Sequence, residues 1–414
     1  MADAVMHSVR DGEGCEVMEP TGNSCGQFLR VVQRGASNLY FPRVVSSIYL
    51  PYWEESANAD IITALNDPRN WNMLKNSAAG GRIERVRCEV VAEQRELNPD
   101  DLLAAAQRKL EGEPVDSEIF AQTEMEYRFA EYEVLCQVTD SEHTDLMIRE
   151  ADYQDYEDLV RLHFSGIRLI HKLRETRALA DFTRLVPATG PEDPRSQLLR
   201  RDHRINWLPA IVVRGEGLFF EFDSEAIERW LQLCPYIIER IESLDLTLNE
   251  QRQRGRVINP VTPKFVLLHS FAHMMINQLC FDCGYGSASL RERIYCNRHL
   301  DDRPMQGVLI YTASGDSEGS MGGLVRQGNP GFLETTLKRA IHSAGWCSSD
   351  PVCIESEGQG SDNSNLAACH GCILTSETSC EEGNRLLDRA LLTGRFDETG
   401  RRNITGFFNP QVQA

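Results

Sequence analysis

Apolar positions along the chain recur at two spacings, and turn residues divide them into blocks. From Phe28 to Trp53, Val, Tyr, Phe and Ile alternate with polar residues around Gly35 and Pro42, which predicts short strands. Asn98-Pro99-Asp100-Asp101 has the form of a helix start, with a capping amide, a proline in the first turn and two carboxylates at the positive end. Glu118 to Leu135 and Tyr153 to Arg177 also read as helices, whereas Asn206 to Phe222 reads as a hairpin turning at Gly215-Glu216-Gly217. Ser224 is placed to cap a helix running to Leu233, and the polar, basic stretch Gln251 to Arg256 suits a linker. Further on, Thr262-Pro263 opens an apolar helix over Phe265 to Phe281, and Gly307 to Ala313 has the length and content of a strand. Phe332 to Ala344 places Leu333, Leu337, Ala340 and Ile341 on one helical face, and Asn384 to Leu392 does the same with Leu386, Leu387, Ala390 and Leu391. The expectation is a mixed α/β (α+β) fold of helices and short sheets with a C-terminal cysteine-rich zinc-binding domain. Its regions are a tail or remnant over 1–25, a mixed region over 26–256 and the zinc-binding domain over 257–414.

Composition narrows the function. Of 414 residues, 41% are hydrophobic, enough for packed domains, and 62 acidic against 43 basic residues give a net charge of −19. Such a balance argues against a free-standing, non-specific DNA binder, which draws its affinity from neutralised phosphates. Three basic strips nevertheless stand out as nucleic-acid candidates: Lys172, Arg174, Arg177 and Arg184; Arg195, Arg200, Arg201 and Arg204; and Arg252, Arg254 and Arg256. The bland alternative for each strip is a solvated face. No run reaches the ~20 apolar residues of a membrane span, and the acidic opening residues do not resemble an export signal. A cytoplasmic protein is expected.

The chemistry concentrates in the cysteines. Cys347, Cys353, Cys369, Cys372 and Cys380 follow one another with five, fifteen, two and seven residues between them. Two cysteines two residues apart bend round to share one ion, and a second pair carried by the intervening loop closes a tetrahedron. The polar stretch Ile354 to Ala368 has little apolar content to order it, so a metal staple accounts for its being held. Zn2+ is the expected occupant at about one ion per chain, with an iron–sulfur cluster and unrelated buried thiols as the alternatives. Four ligands suffice, and spacing alone does not say which of the five is spare.

Other candidates are weaker. Cys280 and Cys283 form a second CxxC, read as incidental buried thiols, with half of a metal site shared with Cys296 or a redox pair as the alternatives. His269 and His273 share a helical face with Asn277, but Ser270 stands where a metalloprotease helix carries its glutamate, so hydrogen-bonded core histidines are the favoured reading. The loop from Ser314 to Gly323 contains Asp316 and Glu318, carboxylates that would repel a phosphate, and no P-loop motif is present. No catalytic residue and no organic cofactor site is assigned.

The runs HSFAHMMI, CGYGSASLRERIY, GVLIYTASGDSEGSMGGLV, WCSSDPVC, NLAACHGCIL, ETSCE and NRLLDRALL, in that order, resemble the MrfA-like zinc-binding domain found with superfamily-2 helicases. Upstream, LRVVQRGASNLYFP, KLRETRALADFTRL and NWLPAIVVRGEGLFFEF resemble the DrmB-like proteins of DISARM anti-phage defence. The resemblance implies a chain without a helicase motor that pairs with a separate DrmA-like helicase subunit and meets DNA through that complex, in a system that includes a methyltransferase. It also implies that the family's cysteines carry over onto Cys347, Cys353, Cys369, Cys372 and Cys380. Such proteins are usually longer and have more cysteine pairs ahead of LRVVQRGASN, where only Cys15 and Cys25 stand here, so an N-terminal zinc module is expected to be missing. The resulting expectation is a non-catalytic, zinc-stabilised helicase-associated subunit in anti-phage defence. A metal-dependent nuclease or hydrolase built on His269, His273, Asp316 and Glu318 is the alternative.

Overall fold

A computed structural model describes residues 16–18, 24–28, 40–50, most of 61–110, 124–139, 145–184, 197–198, 208–253, 261–297 apart from 287, 304–312, 323–396 apart from 361 and 362, and 402–409. Contacts divide the chain into two units, Met1–Val45 with Ala178–Ala210, and Ser46–Arg177 with Ile211–Ala414. The strands are β1 (Glu16–Met18), β2 (Ser24–Phe28), β3 (Tyr40–Ile48), β4 (Met147–Arg149), β5 (Phe164–Arg184), β6 (Gln197–Leu198), β7 (Ala210–Phe222), β8 (Leu290–Cys296), β9 (Gln306–Thr312), β10 (Arg395–Phe396) and β11 (Arg402–Ile404). The helices are α1 (Pro68–Asn76), α2 (Arg85–Arg95), α3 (Pro99–Leu110), α4 (Glu124–Leu135), α5 (Asp158–Arg161), α6 (Ser224–Leu233), α7 (Tyr236–Gln253), α8 (Pro263–Cys283), α9 (Gly323–Gln327), α10 (Phe332–Ala344) and α11 (Ala390–Thr393).

In the smaller unit β1 and β2 pair antiparallel, and β6 pairs with Asp181 and Phe182 of β5. There Arg43 reaches the buried carboxylate of Asp181 at 2.6 Å.

The larger unit is organised by a sheet in which β7, β9 and β8 are neighbours, with β7–β9 and β9–β8 antiparallel. Alternation along these strands separates two apolar layers. Leu218, Phe220 and Phe222 of β7, Val308 and Ile310 of β9, and Leu290, Ile294 and Cys296 of β8 join the cluster built around α8. Phe219, Leu309, Tyr311 and Tyr295 join a second cluster with Tyr132, Val134 and Leu135 of α4. Because both faces are covered, the strands read as continuous apolar runs. A third cluster, with Leu74, Cys88, Val91 and Leu102, holds α1 to α3 together.

Most helix signals act as read. Asn98 Oδ1 accepts from Asp100 N–H at 2.9 Å where α3 begins. The Thr262 hydroxyl accepts from Phe265 N–H at 3.2 Å, Pro263 occupies the first turn of α8, and Gly284 closes it at φ 73°. α6 is capped one residue earlier than expected, by Asp223, whose carboxylate accepts from Ala226 N–H. The polar stretch expected as a linker is helical as far as Gln253, within α7, and 254–256 lie outside the described residues.

Three expectations are overturned. Tyr153 to Arg177 is not a helix: after one 3-10 turn and the four-residue α5, the chain enters β5. Its Leu, Lys, Arg and Glu favour a helix, but Ile167 and Leu169 fill one apolar layer while Ile170 and Leu173 fill the other, and that burial decides the outcome. The hairpin at Gly215–Gly217 is likewise absent, since β7 runs unbroken. A side-chain carbon on Gly215 would lie 2.2 Å from Thr312 Oγ1 and 2.7 Å from its carbonyl, so glycine here serves strand approach rather than a turn. Asn384 to Leu392 is helical only from Ala390. Asn384 and Leu386 take φ of 60° and 63°, and Leu386 N–H donates to Ser364 O at 2.8 Å while Leu387 O accepts from Leu366 N–H at 3.0 Å. Those cross-chain bonds compete with a helix, yet Leu386 and Leu387 still face the core.

Candidate metal centre

α10 ends at Ala344 and delivers the chain into the first half of the site. The Asp350 carboxylate accepts from Cys347 N–H at 2.9 Å and from Ile354 N–H at 3.1 Å, and so folds Cys347 to Cys353 into a compact turn. Asp350 is itself ion-paired to the buried Arg389, whose other end donates to Ala344 O at 2.9 Å. In the second half, Cys372 N–H donates to Cys369 O at 3.0 Å, closing the CxxC turn. Gly371 lies inside it, where a side-chain carbon would stand 3.0 Å from Ser348 Oγ and 3.4 Å from Cys347 Sγ. The polar stretch between the halves is pinned by Gln359, which exchanges backbone bonds with Asn365 and donates its amide to Leu366 O.

Four sulfurs converge. Cys347 and Cys369 Sγ are 3.4 Å apart, Cys353 and Cys372 3.8 Å, and Cys369 and Cys372 3.8 Å, with all four within 4.8 Å of one another. These separations exceed the ~2.05 Å of a disulfide. They match the ~3.8 Å edge of a tetrahedron with metal–sulfur bonds of about 2.3 Å. The four cysteines of an iron–sulfur cluster are divided among two or more irons, so they do not all lie as close together as the ligands of one ion, and the spacing here fits a single ion. Backbone N–H groups surround the sulfurs: Ser349 donates to Cys347 at 3.4 Å, Gly371 to Cys369 at 3.3 Å and Cys369 to Cys372 at 3.1 Å. Such bonds favour the thiolate. Burial raises Cys369, but the Gly371 N–H and the thiols of Cys347, Cys353 and Cys372 outweigh it and hold this thiol below its ordinary range. Burial pushes Cys353 and Cys372 up, so bringing these two to the thiolate requires a cation among them. Donor softness, number and spacing all fit Zn2+, and four protein ligands leave no coordination position for a substrate.

Cys380 lies apart from this quartet. Its sulfur is 3.1 Å from His269 Nε2, in a second group with His273 and Glu292. Glu292 escaped the sequence reading, although alternation offered a signal: Leu290, Glu292, Ile294 and Cys296 share the α8 side of β8, so a carboxylate stands in an apolar row. Asn277, His273 and His269 reach backbone carbonyls of the cysteine loop at Cys372, Ile373 and Leu386. That polar line on α8 therefore fixes the loop's path past both groups.

The remaining candidates are dispersed. Cys280 and Cys283 point at the carbonyls of Gly286 and Gly323, and Cys296 at that of Asn297. Burial pushes Cys280 and Cys283 to about 11, which makes both poor nucleophiles. Arg174 pairs with Asp145 at 2.6 Å and lies over Tyr49, Arg177 pairs with Glu175 at 2.6 Å, Lys172 stands opposite Met147 of β4 in the sheet, and Arg184 covers the ring of Tyr40. Arg195, Arg200, Arg201, Arg204, Arg254 and Arg256, with Asp316 and Glu318, lie outside the described residues, as does the side chain of Arg252.

Residues 271–373 match the family described as the MrfA Zn-binding domain, a span that contains the whole sulfur quartet. The chain is thus, by class, a protein with a C-terminal zinc-binding domain of the MrfA type. Over 385 residues, 91% of its length, it is 33% identical to the DISARM protein DrmB of Bacillus paralicheniformis, and it spans 66% of that relative's length. It is a DrmB-like protein.

Proposed function

We propose that this chain is a non-catalytic, zinc-stabilised accessory subunit that associates with a superfamily-2 DNA helicase, of the DrmA type, and supports its engagement of DNA in anti-phage defence. One observation carries the reading: within a domain of the MrfA Zn-binding family, four convergent cysteine sulfurs supply every position of a tetrahedral ion. A site closed in this way holds structure rather than performing chemistry. The similarity to a DISARM protein over most of the chain supports the setting in defence. Arg174 and Arg177 use their guanidinium groups on Asp145 and Glu175, so in this reading phosphate contact falls chiefly to the strips at 195–204 and 252–256. An acidic chain also suits a basic, DNA-handling partner.

The test is co-expression with the helicase encoded in the same defence locus. The account expects the two to co-elute at low salt, with DNA-stimulated ATP hydrolysis by the helicase rising when this chain is present. Separate elution removes the partner claim. Metal-dependent cleavage of plasmid DNA by the isolated chain, abolished in a folded His273→Ala variant, establishes a nuclease instead.

A further inference from the structure

The sulfur quartet leaves His269, His273, Glu292 and Cys380 unexplained. They come from three separate places: two consecutive turns of α8, the middle of β8, and the loop after the second CxxC. The side chains of His269, His273 and Glu292 are fully buried, and Cys380 is 7% exposed. An apolar core does not gather two imidazoles, a carboxylate and a thiol without something to balance them.

Hydrogen bonding shows how the ring nitrogens are disposed. His273 Nδ1 lies 2.9 Å from Ile373 O, and His269 Nδ1 lies 3.3 Å from Leu386 O. A carbonyl accepts only, so each Nδ1 carries the proton, and a neutral ring then presents its Nε2 lone pair to the interior. Both Nε2 atoms face acceptors: His269 stands 3.0 Å from Glu292 Oε1 and 3.1 Å from Cys380 Sγ, and His273 stands 3.6 Å from Glu292 Oε2. His273 Nε2 and Glu292 Oε2 have no hydrogen-bond partner, although both are inaccessible to water. Meanwhile the outer lone pairs are occupied, since Glu381 N–H donates to Glu292 Oε1 at 3.1 Å and Asn384 N–H donates to Cys380 Sγ at 3.2 Å. The pattern is that of ligands whose outward atoms are fixed by backbone bonds while their inward atoms await a cation.

We propose that His269, His273, Glu292 and Cys380 form a second structural zinc site. All four donor atoms lie within 4.8 Å of one another. A tetrahedral zinc with two nitrogens, one oxygen and one sulfur has ligand–ligand edges of about 3.3–3.6 Å; the His269–Cys380 separation of 3.1 Å and the His–Glu292 separations of 3.0 Å (to Oε1) and 3.6 Å (to Oε2) lie within about half an ångström of those edges. One thiolate among nitrogen and oxygen donors suits a borderline ion such as Zn2+. The matched family span, 271–373, ends before Cys380 and begins after His269, so this group lies partly beyond it. Its effect is to fasten the cysteine loop to α8 and β8 at a second point, through Cys380. The rival state is an imidazolium–carboxylate cluster with no metal.

The experiment uses the full-length chain purified under reducing conditions from zinc-supplemented medium. Metal content is measured by mass spectrometry, and the mean zinc shell by X-ray absorption. The proposal expects two ions per chain and a mixed shell, with five sulfurs and three nitrogen or oxygen ligands shared between the two. One ion per chain in an all-sulfur shell overturns it. A Glu292→Gln variant, nearly isosteric, is expected to lose half the metal and shift the remaining shell to sulfur alone. Full metal retention in that variant also overturns the proposal. Should the variant fail to fold, the wild-type shell decides alone.

Discussion

Arg240 Nε stands 2.7 Å from Asp388 Oδ2, and both side chains are buried. The same carboxylate accepts from Ala367 N–H at 3.3 Å and Ala390 N–H at 3.1 Å, while Asp388 N–H donates to Ser270 Oγ at 2.9 Å. The ion pair joins α7, and the Ser270 bond joins α8, to the segment that carries the cysteine loop back into the core. Removing the cation leaves a charge buried and unpaired, which costs about 3–5 kcal/mol. Arg240→Met is expected to lower unfolding stability in urea by that amount. The double variant with Asp388→Leu is expected to lose less than the two single losses added together.

Gly215→Ala is expected to destabilise by about 1–3 kcal/mol, because the new carbon would meet Thr312 Oγ1 and the Thr312 carbonyl in β9. Thr312→Ala should not restore stability, since the carbonyl remains. Thermal melts of the single and double variants check this, and full rescue would place the conflict in the hydroxyl.

Burial holds His163 below the usual histidine range, although its ring nitrogens lie 2.8 Å and 3.0 Å from the carbonyls of Leu159 and Phe407. A depressed imidazole means the unfolded chain binds the proton more readily than the folded one. Its contribution is therefore intact above about pH 6.5, the value of an exposed imidazole, and stability declines as pH falls below it. Melting curves between pH 8 and pH 5 are expected to show a smaller acid-side decline in His163→Gln than in the wild type.

Cys369→Ser is expected to release the quartet's zinc and lower the melting temperature by about 5 °C or more, since structural zinc contributes on the order of 10 kcal/mol to small domains. By contrast, Cys280→Ser is expected to keep its metal content, because that thiol points at Gly286 O. Metal analysis after dialysis against a weak chelator separates the two.

What the sequence revealed depended on whether the signal was local. Asn98 before α3, Thr262-Pro263 before α8 and the cysteine spacings all act within a turn of themselves, and each is legible without neighbours. β5 misleads because its helix-forming residues are held extended by layers contributed from distant segments. Gly215 misleads because its reason is Thr312, almost a hundred residues away. Glu292 escaped notice and Cys380 could not be told from the other four cysteines for the same cause: their neighbours His269 and His273 come close only through the packing of α8 and β8.

The central claim is a single zinc ion held by Cys347, Cys353, Cys369 and Cys372. An anomalous difference map, collected at the zinc edge from crystals of the reduced chain, tests it most directly. The account predicts a strong peak about 2.3 Å from each of the four sulfurs. Four sulfurs with no peak between them, or joined in pairs as disulfides, would contradict it.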